Sequence, residues 1–477
     1  MQIYKKISFI TPTLYSLKLI VKSVNRFFYE ASVFNFAYSH VDIYAKSYDY
    51  LPTNSRLRLN TLARESITNS LTNISTPDFN QGYNPDFWPD FNHSTKPKSP
   101  SKQPKLKVMM LGLRGFPNVQ GGVETHAEHL CPLLVSMGCE VEVIARSPYQ
   151  PKQVGKYWQG VKLSPIWAPK SKGLEALAHT FFGVLYAAIK RPDILHIHAI
   201  GPAIMTPLAR LLGLRVVVTH HGPDYNRQKW GFVARHILLL GEYMGMRFSN
   251  SRIVISNVIK ELVLQKHLMH TELIRNGVKI PDTHLSSINT DECLSKFDLT
   301  HGKYVLLVSR LVPEKRHLDL INAFNQANLD GWKLVLVGAS DHPDAYVESL
   351  INRVATSANV VMTGYLTGEP LKTLYANAGL FVLPSSHEGL SISLLEALSY
   401  GLPVLASDIP ANLELGLPNS QYFALGDVCE LAQKLTANII NPINHDLKSN
   451  LRHWVDYRYN WQGVAAQTIK EYQSALH

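Results

Sequence analysis

The chain has 477 residues, of which 45% are hydrophobic and 18% charged, against a usual charged fraction of about 25%. That balance excludes a disordered chain and supplies apolar material for more than one core, with a prior of roughly three domains. The 47 Lys and Arg against 37 Asp and Glu leave a formal charge of +10, which suits an anionic partner: nucleic acid, an acidic membrane face or a phosphorylated substrate.

At the N-terminus, residues 1–29 carry Lys5, Lys6, Lys18, Lys22 and Arg26 and no acid. Pro12 and Lys18 break the apolar stretch there, and no small-residue cleavage site follows cleanly, so a cleaved signal peptide is not expected. A weak helix is expected within 14–48. Residues 52–104 are rich in Asn, Ser, Thr and Pro and read as an exposed linker, with an aromatic-polar string at 79–91 that resembles a docking segment. No run reaches the ~18–20 apolar residues of a spanning helix, so an integral membrane protein is not expected. Cys131, Cys139, Cys293 and Cys429 lie far apart with no CxxC pair, which argues against a disulfide scaffold or a thiolate zinc site.

From residue 105 short apolar runs alternate with helical periodicity. LKVMMLG, CEVEVIA, DILHIHA, RVVVTHH and RIVIS form a first series; KYVLLVS, WKLVLVG, NVVMTGY, LFVLPS and PVLAS form a second. Continuous apolar strands between helices predict an α/β fold of two doubly wound, Rossmann-like domains with parallel sheets. A polar stretch around 281–300 separates them, giving an extension at 1–104 and domains at 105–290 and 291–455. Ligands of such sheets bind beyond the carboxyl ends of the strands, so the site is expected in the cleft between the domains.

Three loops carry the chemistry. In GLRGFPNVQGGVET, Gly121 and Gly122 stand just before a helical pattern, where backbone N–H groups attract anions and glycine admits a phosphate. The spacing is not GxGxxG, which argues against a dinucleotide fold; a turn serving only backbone geometry is the competing reading. In VSRLVPEKR, Arg310 follows a buried strand and Lys315 approaches a helix start; fork and point charge together suit a diphosphate, with a solvated basic loop as the alternative. In LFVLPSSHEGLSISLLEALSYG, Glu388 ends a strand-to-loop passage and Glu396 lies eight residues on, in the second turn of a helix beginning near Leu390. A carboxylate can accept two hydroxyl hydrogen bonds, as a ribose diol or sugar ring presents.

With those motifs in view, residues from about 106 to the end resemble retaining glycosyltransferases of family four with the GT-B fold. Glu388 and Glu396 match the family's E-x7-E motif, SRLVPEK its G-R-L-x-x-x-K segment, VTHHG its T-x-H-G segment and IRNGV its N-G-V turn. The first loop is similar to that of a bacterial polysaccharide subgroup that includes rhamnosyltransferases. Residues 456–477 resemble the terminal helix that crosses back to the first domain. Ser309, Arg316 and Ser391 depart from the family pattern.

The resemblance implies that Arg310 and Lys315 bind the diphosphate of a nucleotide-sugar donor and stabilise its charge, with Gly121 and Gly122 facing the same phosphates. Glu396 would hold the ribose, Glu388 the transferred sugar with Gly389 and Leu390 beside it, and His221 would offer that sugar a hydrogen bond. No cofactor or metal is expected. The acceptor implied is a saccharide or a polyprenyl-linked saccharide, with a peripheral cytoplasmic location against the anionic inner face of the membrane and a role in cell-surface polysaccharide assembly. A non-hydrolysing sugar-nucleotide epimerase and a degenerate GT-B scaffold are the alternatives. No aromatic-basic reader motif is present, so nucleic acid is not an expected partner. His196, His198, His220 and His221 are placed to approach one sheet edge, as satisfied core or cleft histidines rather than metal ligands; His126 and His129 read as helix-face residues.

Overall fold

The computed structural model describes residues 105–150, 154–169, 174–227, 231–281, 290–340, 344–440 and 445–477. The expectations for the N-terminal extension, including its helix, linker and docking segment, lie outside the described residues. No helix among the described residues is long and apolar enough to cross a membrane.

The first sheet comprises β1 (Lys107–Leu111), β2 (Glu140–Arg146), β3 (Tyr157–Trp158), β4 (Val161–Ile166), β5 (Ile194–His198), β6 (Val216–His220), β7 (Ser251–Val254) and β8 (Glu272–Leu273). Their order is β3-β4-β2-β1-β5-β6-β7-β8, and only the β3–β4 pair is antiparallel. The second sheet has β9 (Tyr304–Val308), β10 (Lys333–Val337), β11 (Val360–Gly364), β12 (Leu380–Leu383), β13 (Val404–Ser407) and β14 (Tyr422–Phe423) in the all-parallel order β11-β10-β9-β12-β13-β14. Central strands such as β6 and β12 are buried along their whole length, as expected when helices cover both faces.

The first domain's helices are α1 (Gly122–Ser136), α2 (Leu174–Lys190), α3 (Thr206–Leu211), α4 (Phe232–Phe248) and α5 (Asn257–His267). The second carries α6 (Thr290–Ser295), α7 (His317–Ala327), α8 (Ala345–Ala355), α9 (Gly368–Asn377), α10 (Ile392–Ser399), α11 (Pro410–Leu413), α12 (Val428–Ile440) and α13 (His445–Tyr459), before a terminal α14 (Trp461–Leu476). The two-residue period of the strands sorts side chains between two layers. Met110 and Val217 pack with Leu130 of α1 and Tyr472 of α14 on one face. Leu111, Ile197 and Val218 pack with Val184 of α2 and Met246 of α4 on the other.

The chain passes between the domains twice, and the two crossings touch. Val278 N–H donates to the Tyr459 carbonyl at 2.7 Å, and Val278 pairs with Asn460 in a parallel bridge. The Trp461 ring then lies against Gly277 so closely that a Cβ there would stand 2.5 Å from it. Beyond Trp461, α14 packs against α1 and the first sheet.

Candidate active site

Gly121 caps α1 at φ +154°, and a Cβ on it would stand 2.0 Å from Glu124 Oε2. Glu124, 6% exposed, folds back under the loop: Arg114 donates to its Oε1 from both backbone N and Nε at 3.1 Å. Burial alone would raise the Glu124 carboxyl, but Arg114 holds it below the ordinary range. The Arg114 guanidinium also donates to the Gln120 carbonyl. A Cβ on Gly122, the first residue of α1, would meet nothing within 4 Å, so the helix start opens onto free space. With its amide oriented to satisfy both ends, Gln120 reaches the second domain, donating to Ala339 O at 3.1 Å and accepting from Ala339 N at 3.2 Å.

Across the cleft, Arg310 lies two residues beyond β9, half-buried and without an ion pair among the described residues. Burial, and then the guanidinium groups of Arg227 and Arg114 nearby, disfavour its charge, with Glu124 and Asp224 opposing. Arg227 and Arg114 come from the first domain, so both walls present cations to the same space. Lys315 sits in a 3-10 turn, Pro313–Lys315, and donates to Glu388 Oε1 at 2.5 Å. The turn is tied to the glutamate loop, because Ser386 donates to the Glu314 carbonyl from N at 2.8 Å and from Oγ at 3.2 Å. Glu314 is 4% exposed, and its carboxylate accepts no hydrogen bond among the described residues and faces Arg227 Nε at 3.8 Å.

The loop bearing Glu388 meets the first domain backbone to backbone. A Cβ on Gly389 would stand 2.2 Å from the His221 carbonyl oxygen, so only glycine fits. Leu390 is buried, and its carbonyl accepts from Asn276 Nδ2 at 2.9 Å. Glu396, in the second turn of α10, accepts from Tyr375 Oη of α9 at 2.9 Å. Burial pushes its carboxyl up to about 7 despite that hydrogen bond.

The histidines divide by strand alternation. His196, His198, Thr219 and His221 share the α1/α14 side; His220 points the other way, to Glu242 Oε2 of α4 at 3.3 Å. The expectation of four imidazoles at one edge is therefore corrected: His220 leaves the group and His126 of α1 joins it, its ring centre 5.1 Å from that of His221. Nor is His126 a surface residue of its helix, for it is 3% exposed and bonded to Asn276 Oδ1 at 3.0 Å. Asn276 donates to Leu390, so its oxygen accepts and His126 carries its hydrogen on Nδ1. A parallel argument runs through His198, whose Nε2 meets Met110 Sδ at 3.4 Å and whose Nδ1 meets His221 Nε2 at 3.0 Å. A thioether sulfur only accepts, so His198 carries its hydrogen on Nε2 and accepts at Nδ1. His221 then donates from Nε2, leaving its Nδ1 as an acceptor. Burial and mutual repulsion hold His198 and His221 well below the ordinary histidine range, and burial brings His126 down to about 4; these imidazoles are neutral.

The structure thus brings Arg310, Lys315, Glu388, Gly389 and Leu390 to one side of a cleft and His221 directly opposite. Gly121 and Gly122 approach the same space through Arg114, and Glu396, partly exposed, is backed by the buried Tyr375. Arg114, Glu124, Glu314 and Asn276 lie in motifs that sequence reasoning singled out without giving these residues a role; Arg227 and Tyr375 it missed.

Two family descriptions match the chain: "Glycosyltransferase Family 4" over residues 120–280 and "Glycosyl transferases group 1" over residues 295–453. An MMP alpha-(1->4)-mannosyltransferase of Mycolicibacterium hassiacum is 29% identical over 410 residues, spanning 78% of this chain and 98% of that protein. A GDP-mannose:cellobiosyl-diphosphopolyprenol alpha-mannosyltransferase of Xanthomonas oryzae is 25% identical over 308 residues, or 61% and 76% of the two chains. Among solved structures, HepE of Anabaena in complex with UDP-glucose superposes with a TM-score of 0.63 at 18% identity, covering 77% of this chain and 100% of that one.

Proposed function

Because the chain belongs to the family 4, group 1 glycosyltransferases of the GT-B fold, and transfers sugar from a nucleotide sugar, we propose a retaining transfer in which both walls of the cleft grip the donor. The observation that carries the site assignment is Arg310: a half-buried guanidinium with no carboxylate of its own among the described residues, beside Arg114 and Arg227. Arg114 and Arg227 are already paired with Glu124 and Asp224, so the charge left to meet a ligand is that of Arg310, and a diphosphate suits it. Lys315 binds the same group while Glu388 holds it in place, and the Gly122 end of α1 adds backbone N–H groups. Glu396 takes the ribose hydroxyls, and Glu388 the hydroxyls of the transferred sugar. His221, an acceptor at Nδ1, takes a further sugar hydroxyl.

In the reaction the anomeric C–O bond to the diphosphate breaks, and the acceptor oxygen bonds to that carbon from the same face. The acceptor's proton passes to the departing phosphate oxygen, so no protein base is needed. The cations stabilise the charge as it develops on the leaving group. Family membership sets aside the epimerase, and the retained Arg310, Lys315, Glu388 and Glu396 argue against a degenerate scaffold. For the acceptor we favour a polyprenyl-diphosphate-linked saccharide in cell-surface polysaccharide assembly, at the inner membrane face. Its support is the relative named for a diphosphopolyprenol acceptor, together with the positive charge. The first loop's likeness to rhamnosyltransferases favours a deoxyhexose, whereas the relatives reported above are named as mannosyltransferases.

The test is a thermal-shift panel of UDP, GDP, TDP, ADP and their sugar conjugates on the purified chain. One base should stabilise selectively, by about 2.7 kcal/mol at ~100 times its dissociation constant. Arg310→Ala, Lys315→Ala and Glu396→Ala should each weaken that ligand roughly 10- to 100-fold, as expected for charged hydrogen bonds of ~1.5–3 kcal/mol, and Glu388→Gln should chiefly lower turnover. Wild-type affinity and turnover in all four would overturn the assignment.

A further inference from the structure

One layer of the first domain meets water with the wrong surface. Helix α2 buries Glu175, His179, Gly183, Val184 and Ala187 against the sheet. Its outward stripe is Leu174, Ala178, Phe181, Leu185 and Ile189, spaced at four, three, four and four residues, where a solvated helix carries polar groups. Leu174 is 62% exposed and Ile189 79%, and Phe182 beside the stripe is 43%. Trp167, 62% exposed, stands edge-on to Phe182 with ring centres 6.2 Å apart.

The same layer repeats the pattern on α4, which opens with Phe232 at 78% and Val233 at 70% exposure. Both helices pack on the segment Pro202–Leu211 and both follow the carboxyl end of a strand. Leu174 and Phe232 therefore stand on the side of the sheet where the cleft opens.

The charges around these apolar groups are mostly positive, Asp193 being the exposed acid beside Arg191. Lys190 and Arg191 are exposed at the end of α2, and Arg235 borders Phe232. In sequence, Lys170 and Lys172 precede α2 and Lys229 precedes α4. The only acids of the two helices are turned inward: Glu175 to Arg146 and Tyr149, and Glu242 to Lys266, His267 and His220. Aromatic rings and aliphatic side chains in a predominantly cationic frame match the headgroup boundary of an anionic bilayer.

We propose that the outer face of α2, with Trp167 and the start of α4, is the surface by which this enzyme rests on an anionic lipid bilayer. The rings enter the boundary between headgroups and acyl chains, Lys190 and Arg191 meet lipid phosphates, and the cleft rim lies at the membrane surface. The purpose of this arrangement rests on the lipid-linked acceptor proposed above; the binding itself does not, and is measured without donor or acceptor.

The full chain is floated with phosphatidylcholine vesicles that contain or lack phosphatidylglycerol. It should float with the anionic vesicles and dissociate as salt is raised. The double variant Phe181→Ser/Phe182→Ser, and separately Lys190→Glu/Arg191→Glu, should lower lipid affinity at least tenfold while keeping the wild-type thermal shift with the donor nucleotide. A wild-type chain that stays down with anionic vesicles, or variants that float as the wild type does, would overturn the surface. Turnover of a polyprenyl-diphosphate saccharide in detergent reports on the acceptor separately. Flotation without that turnover sinks the acceptor reading alone, and turnover without flotation sinks the surface alone.

Discussion

Glu396 is held in a state that costs stability. Its carboxyl titrates at about 7 in the folded chain, against an ordinary 4.5, because burial outweighs the Tyr375 hydrogen bond. The folded state thus binds this proton more tightly than the unfolded one, and the term destabilises the fold progressively as pH rises from 4.5 to 7, then stays constant. The full cost is about 3 kcal/mol at most above pH 7. Glu396→Gln should therefore raise the melting temperature at pH 8, leave it nearly unchanged at pH 4, and weaken donor binding at both; thermal melts at the two pH values check this. An equal effect of the substitution at both pH values would show that Glu396 is not held at a raised pKa. The placement of Glu388, Glu396, Arg310 and Lys315 at the cleft was legible in the sequence because each pair lies within one short segment. Arg227 and Tyr375 were not. A lone arginine or tyrosine has no period, and each gains its place only when a distant segment folds against it, as Tyr375 does against Glu396.

The glutamate loop and the histidine loop work as a pair of facing turns. Gly389 meets the His221 carbonyl so closely that a methyl group has no room, and Asn276 clasps the Leu390 carbonyl beside it. Gly389→Ala should separate the turns, costing about 1–3 kcal/mol of stability and most of the turnover; melting temperature and kcat together check this. Unaltered turnover would mean that the turns need not touch for catalysis. Ten strands of the two sheets were readable as apolar runs, and the four that were not are all marginal. β3, β8 and β14 have two residues each, and β4 carries Pro165, Ser164 and Lys162 near a sheet edge. A strand that buries one face, or only two residues, need not be a continuous apolar run.

At the scale of the molecule, the proposed donor site draws on both domains, so its geometry depends on how the two passages of the chain hold them. Gly277 and Trp461 meet at that junction, where His129 also stacks on the indole with ring centres 5.3 Å apart. Gly277→Ala pushes a methyl group into the indole. It should lower stability by about 1–3 kcal/mol and reduce kcat more than it reduces nucleotide affinity; melts, titration and steady-state rates separate the two effects. A loss confined to stability would show that the junction only braces the fold.

The adjacency of the two passages has a mechanical meaning. Two ropes fixed side by side let a gate swing about the line joining them, while resisting slide and twist. The domains of this chain are joined where Val278 meets Tyr459 and Asn460 and where Arg452 donates to the Pro281 carbonyl at 3.0 Å, and they are expected to share that freedom. Opening and closing should then reduce to one angle, which a single pair of dyes across the mouth would read.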